Sequence, residues 1–151
     1  MVKRILVPLD KSTEHATILP VVADMARGAG ATVRLLHVAP LPQTWIDDHD
    51  RILAYADQEM VRLEGEAMDR LLQAEAALGG IAVERVVRFG RAVEEILSEA
   101  EAFGADLIAV TTICPGGLKR RLLGSVAEQL VKSAKVPVVL LRPALRSESA
   151  A

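Results

Sequence analysis

Apolar residues follow two alternating rhythms along the chain. Continuous short runs at residues 5–9, 32–38, 107–110 and 136–142 are apolar on both faces, as in strands buried within a parallel sheet. Residues 81–88 alternate instead, which predicts a half-exposed strand near a sheet edge. Between these runs the period lengthens to that of a helix. Ile18, Val21, Val22 and Met25 recur at helical spacing within residues 14–27, and Ser12 or Thr13 can cap the first turn. Pro20 predicts either a kink there or a helix that truly starts further on, and Gly28 and Gly30 are the expected stop. A long helix is expected over residues 50–78. Ile52, Leu53, Met60, Leu63, Ala67, Leu71 and Leu78 form its apolar stripe, charged residues cover its other faces, and Gly79-Gly80 ends it. Shorter helices are expected over residues 92–103 and 126–133.

Strands alternating with helices in this way predict an α/β fold: a parallel sheet with right-handed crossovers and helices on both faces. Pro137, near the start of the last run, lacks an N–H and fits an edge strand. Ligands of such sheets sit beyond the carboxyl ends of the strands, where the strand order reverses. Asp10, Val38 and the segment after Val110 all fall at carboxyl ends, so one shared site is geometrically reasonable.

The segment after Val110 is the most distinctive stretch. It runs Thr111-Thr-Ile-Cys-Pro-Gly-Gly-Leu-Lys-Arg-Arg-Leu-Leu-Gly-Ser-Val-Ala-Glu128. A strand enters it and a helix leaves it, with Gly116, Gly117 and Gly124 between, beside Lys119, Arg120 and Arg121. A glycine-rich basic turn that opens a helix presents backbone N–H groups and a helix N-terminus to an anion. Plainer readings stand beside this one. Ser125 and Glu128 form a Ser-x-x-Glu capping box, which accounts for both residues on its own. The Lys119–Arg121 run reads as a solvated basic turn, and Asp10 can equally cap the turn into the first helix. His37, on a buried strand, reads as a satisfied core histidine, whereas His15 and His49 have polar neighbours and read as surface residues. Cys114 reads as an inert loop residue, with a reactive thiol beside basic residues as the alternative.

Composition narrows the class. At 151 residues the chain is expected to be one domain, with a polar tail over residues 144–151. Only 3% of residues are aromatic, so the core must be built from Val, Leu, Ile and Ala. A net charge of −2 gives no reason to expect nucleic-acid binding. No apolar run approaches the ~18 residues of a membrane-spanning helix. A strand-like N-terminus and a single cysteine lead to the expectation of a soluble, cytoplasmic protein without disulfides or a metal site.

With these stretches in place, the chain resembles the universal stress protein family over nearly its whole length. The resemblance rests on Ile5-Leu-Val-Pro-Leu-Asp10, Leu36-His-Val38, the run from Gly116 to Glu128, and Val136-Pro-Val-Val-Leu-Leu-Arg142. It implies a Rossmann-like, five-stranded parallel sheet in the order 3-2-1-4-5, and a homodimer paired through the last strand, residues 136–142. It also implies an adenine-nucleotide pocket, with Asp10 and Val38 on the adenine side and Gly124, Ser125 and Val126 on the phosphate side; Pro8, Thr111, Gly116 and Gly117 complete the candidate pocket, the two glycines as a shifted backbone nest. Within the family, ATP binders carry a Gly-x2-Gly-x9-Gly-Ser/Thr pattern after the fourth strand. Counted back from Gly124-Ser125, that pattern places Thr111 and Cys114 where glycines should stand. A Cβ at these positions hinders close approach of the backbone to phosphates, and Pro115 removes one N–H donor. The sequence offers no nucleophile–base pair and no Gly-x4-Gly-Lys-Ser/Thr loop, so no enzymatic role is expected. The favoured reading is a dimeric stress-response or interaction protein with a degenerate pocket that binds ATP weakly or not at all. The alternative is an ATP-binding, nucleotide-dependent sensor, with Mg accompanying the ATP.

Overall fold

The computed structural model describes residues 1–11, 14–42, 55–112 and 124–143. Trp45 and His49, the expected first turn of the long helix, Cys114, Gly116, Gly117, the basic run 119–121 and the tail lie outside the described residues, as do Ser12 and Thr13. The elements follow in the order β1 (Arg4–Pro8), α1 (Leu19–Ala29), β2 (Thr32–Ala39), α2 (Tyr55–Ala76), β3 (Val83–Phe89), α3 (Ala92–Phe103), β4 (Leu107–Thr111), α4 (Ser125–Ser133) and β5 (Val138–Leu141). The five strands form one parallel sheet in the order β3-β2-β1-β4-β5. β1 is central, so the strand order reverses between β1 and β4. The alternating pattern of residues 81–88 placed β3 near an edge, and β3 is indeed an edge strand.

Period-two alternation divides the core between the two faces of the sheet. Ile5, Val7, Val33, Leu35 and Ala109 face one side and pack with Leu19, Val22, Leu71 and Leu78, from α1 and α2 and just beyond its end. Leu6, Leu36, Ile108 and Val110 face the other side, against Ile96, Phe103, Ala127 and Leu130 of α3 and α4. Asp106 fastens the amino ends of the two central strands. One of its carboxylate oxygens accepts the N–H groups of Lys3 and Arg4 at 2.8 and 2.9 Å.

The first helix starts further on than residue 14, the second of the two outcomes expected from Pro20, and stops at the second of the two expected glycines. A single 3-10 turn occupies Glu14–Thr17, and α1 itself begins at Leu19, with Pro20 inside its first turn. Proline fits there because an N–H in the first turn has no helical acceptor. Gly28 does not stop the helix, which runs through it to Ala29. Gly30 supplies the stop, with φ 66 and its N–H turned back to the carbonyls of Ala26 and Arg27.

α3 carries a charged residue on its sheet side. Glu99 is 4% exposed. Its two carboxylate oxygens accept from Arg34 of β2 at 2.7 Å and from Arg88 of β3 at 2.5 Å. Arg34 also pairs with Glu84 and stacks 4.0 Å from the Phe103 ring centroid, while Arg88 pairs with Glu95. The network clamps α3 onto the β2–β3 side of the sheet.

Candidate functional site at the carboxyl ends of the strands

A cleft of ≈ 230 Å³ opens at the carboxyl ends of β1, β2 and β4. Pro8, Leu9, Asp10 and Lys11 form one wall, where β1 ends. Leu36, His37 and Val38 contribute from β2, and Val110 and Thr111 from β4. Ala92 and Ile96 line it from the first turns of α3, and Val126 and Ala127 from the first turn of α4. The lining is mainly aliphatic, with polar groups from Asp10, Lys11, His37 and Thr111 at its margins. Such a surface suits the faces of a flat heteroaromatic ring, with edge polarity read by a few groups. The volume falls below the roughly 300–1,000 Å³ common for drug-sized ligands.

Five of the nine sequence candidates therefore meet in one place: Pro8, Asp10, Val38, Thr111 and Val126. Gly124 and Ser125 stand immediately before Val126, at the entry to α4. Gly124 is the N-cap of that helix at φ 84, ψ 146, a conformation that a residue with a Cβ resists. The capping box expected of Ser125 and Glu128 is not formed. A box needs the serine outside the helix and the glutamate three residues later, but the helix already includes Ser125. Glu128 instead bonds Lys132 one turn on, at 3.2 Å. Gly116, Gly117 and Cys114 lie outside the described residues.

His37 occupies a core position, 4% exposed. Its Nδ1 lies 2.8 Å from the carbonyl oxygen of Leu9. A carbonyl only accepts, so Nδ1 carries the hydrogen and the bare Nε2 faces Arg70 Nη2 at 3.5 Å. Burial pushes the imidazole below its ordinary value of 6.5, and Arg70 and Lys11 add to this, against the Leu9 carbonyl and Asp10. Among the described residues, no three His, Cys, Asp or Glu side chains are placed to hold a metal ion. No helix among them is long and apolar enough to cross a membrane.

Ala92, Ile96 and Lys11 were not among the sequence candidates. The first two had a signal. In the order 3-2-1-4-5 the β3→β4 crossover must pass over the switch point, so the early turns of α3 reach the carboxyl-end cleft.

Comparison with known proteins places this geometry in a family. The universal stress protein family model matches residues 1–142. Universal stress protein MJ0531 of Methanocaldococcus jannaschii is 34% identical over 84 residues, 56% of this chain and 49% of that protein. Universal stress protein YxiE of Bacillus subtilis is 26% identical over 94% of this chain and 100% of its own length. Among solved structures, a universal stress protein in complex with cAMP superposes with a TM-score of 0.65 at 17% identity, covering 95% of this chain and 98% of that one. The universal stress protein of Archaeoglobus fulgidus in complex with dAMP gives a TM-score of 0.61 at 19% identity, covering 93% and 98%. The fold, the switch-point cleft and a family match along nearly the whole length agree: the chain belongs to the universal stress protein family.

Proposed function

We propose that the protein is a dimeric stress-response protein that acts by binding rather than catalysis, and that its cleft takes the nucleoside end of an adenine nucleotide while holding a triphosphate only weakly. The observation that carries this reading is the convergence of Pro8, Asp10, Val38, Thr111 and Val126 on one aliphatic cleft at the switch point. The cAMP and dAMP complexes of the two structural relatives support adenine monophosphates as the ligand class. Thr111 ends β4 at the cleft wall, half-buried, and carries a branched Cβ where the family's ATP binders have a glycine. With Cys114 and Pro115 it argues against tight ATP binding.

The dimer reading rests on β5. Among the described residues this strand pairs only with β4, and its Leu140 is 36% exposed. An apolar edge strand of this kind is a liability unless another chain covers it.

Calorimetric titration of nucleotide-free protein with AMP and with ATP and Mg²⁺ tests the site. The expected result is AMP binding near one per chain, with ATP bound no more tightly. Micromolar ATP binding well above the AMP affinity would overturn the weak-triphosphate reading. No heat with either at millimolar concentration would leave a protein that works through its dimer and interaction surfaces.

A further inference from the structure

β1 ends at Pro8, and the next residue, Leu9, is held to β2 by two hydrogen bonds. Its N–H donates to the Leu36 carbonyl at 2.8 Å, and its own carbonyl accepts Nδ1–H of His37, also at 2.8 Å. The second bond is made by a titratable ring. The residues that follow, Asp10 and Lys11, form the cleft wall. His37, itself one of the cleft-lining residues, directs its ring to the α1–α2 face of the sheet, where Arg70 of α2 reaches its Nε2 at 3.5 Å.

We propose that His37 is an acid-sensitive latch for the cleft: as the neutral ring it fastens the Leu9–Lys11 wall, and as the imidazolium it releases it. The protonation site is fixed by the tautomer. Nδ1 already carries its hydrogen, so an added proton goes to Nε2, where the guanidinium of Arg70 can offer only donors. A second cation is then buried against Arg70, with Lys11 on the same side of the balance; the Leu9 carbonyl and Asp10 favour the charge, but burial and the two cations outweigh them. Among the described residues these are the charged groups that act on the ring, from α2 and from the segment after β1. Relief comes most directly by the ring turning out to water, which breaks the bond to the Leu9 carbonyl. Arg70 matches this role. Its Nε is buried without a hydrogen-bond partner and its Nη2 approaches the imidazole, so the guanidinium is partly desolvated beside the ring. Acidification below the ordinary imidazole range would therefore loosen one wall of the cleft and weaken its grip on a ligand. This regulatory step rests on the reading of the cleft as a nucleoside site, but the latch itself does not.

The test uses adenosine, which carries no phosphate to titrate. Two quantities are followed between pH 7.5 and 5.5: adenosine affinity, and hydrogen-exchange protection factors of the Leu9, Asp10 and Lys11 amides. The expected result is affinity weaker by about fivefold or more at pH 5.5, with protection lost at those three amides. His37→Asn keeps an N–H donor for the Leu9 carbonyl but does not titrate, and should flatten both responses. Should that variant fail to fold, Arg70→Gln removes the opposing cation, lets the imidazolium stay against the Leu9 carbonyl and should shrink both responses; an unchanged response there would equally overturn the latch. Flat wild-type profiles, or an unchanged response in His37→Asn, would overturn the latch. Acid loss of protection in a protein that never binds adenosine would uphold the latch and overturn the ligand reading instead.

Discussion

At the scale of single residues, the clearest energetic commitment is Glu99. Its side chain is 6% exposed, against 22% and 30% for Arg34 and Arg88, which hold it. Burial raises its proton affinity, but the hydrogen bonds from Arg88 and Arg34 outweigh that and hold the carboxyl below its ordinary 4.5. Truncation to alanine strands two partly buried guanidiniums, each with one remaining carboxylate partner. Because those cations keep some access to water, the expected cost is about 2 kcal/mol, below the ~3–5 of a fully buried pair. Urea unfolding at pH 7 measures it. The sign with pH follows from the lowered folded-state value. The contribution is complete above about 4.5 and is lost as pH falls through the folded value, so wild type and Glu99→Gln should converge in stability on acidification below 4.5. Thr111 makes the complementary prediction about the site. The double change Thr111→Gly with Cys114→Gly should raise ATP affinity if side-chain obstruction is what weakens it. The glycine at the end of β4 should cost roughly 0.5–1 kcal/mol of stability. Unchanged ATP affinity in a folded double variant would assign the weakness to the rest of the phosphate side.

At the scale of elements, the two outer-strand registers can be told apart by proline. The carbonyls of Pro137 and Leu141 accept the N–H groups of Ile108 and Thr112 at 3.0 Å, so odd-numbered residues in and beside β5 bond inward and Val138 and Leu140 direct their N–H groups outward. Leu140→Pro should therefore leave the fold intact and abolish strand pairing between two copies, seen as a shift from dimer to monomer in light scattering. Val139→Pro removes a bond to β4 and should destabilise the fold itself. A Leu140→Pro protein that remains dimeric would place the interface elsewhere. The sheet and its strand types were legible in the sequence because burial on one or two faces writes period-two or continuous apolar runs directly into it. Helix ends were less legible. Gly28 and Gly30 both resembled a stop, and the helix runs two residues past its expected end at 27 to the second of them. Ser125 and Glu128 had the spacing of a capping box, yet Gly124 opens the helix one residue earlier, at a positive φ that only the backbone geometry reveals. The contribution of α3 to the cleft was invisible to local pattern, since it follows from where a crossover lands and not from any motif.

At the scale of the whole molecule, every carboxyl end that matters converges on one side of the sheet. Residues distant in sequence, Pro8, Val38, Thr111 and Val126, become neighbours because the strand order reverses between β1 and β4. Sequence reasoning could place Asp10 and Val38 at carboxyl ends of strands because strand ends are readable. It could not give the depth or lining of the cleft, nor show that His37 ties the wall behind it. The central claim is that this cleft receives the nucleoside part of an adenine nucleotide. The most direct measurement is an amide NMR titration of the nucleotide-free protein with AMP. The account predicts saturable shifts concentrated at Leu9, Asp10, Lys11, Val38, Thr111 and Val126. Shifts confined to another surface, or none at millimolar AMP, would contradict it.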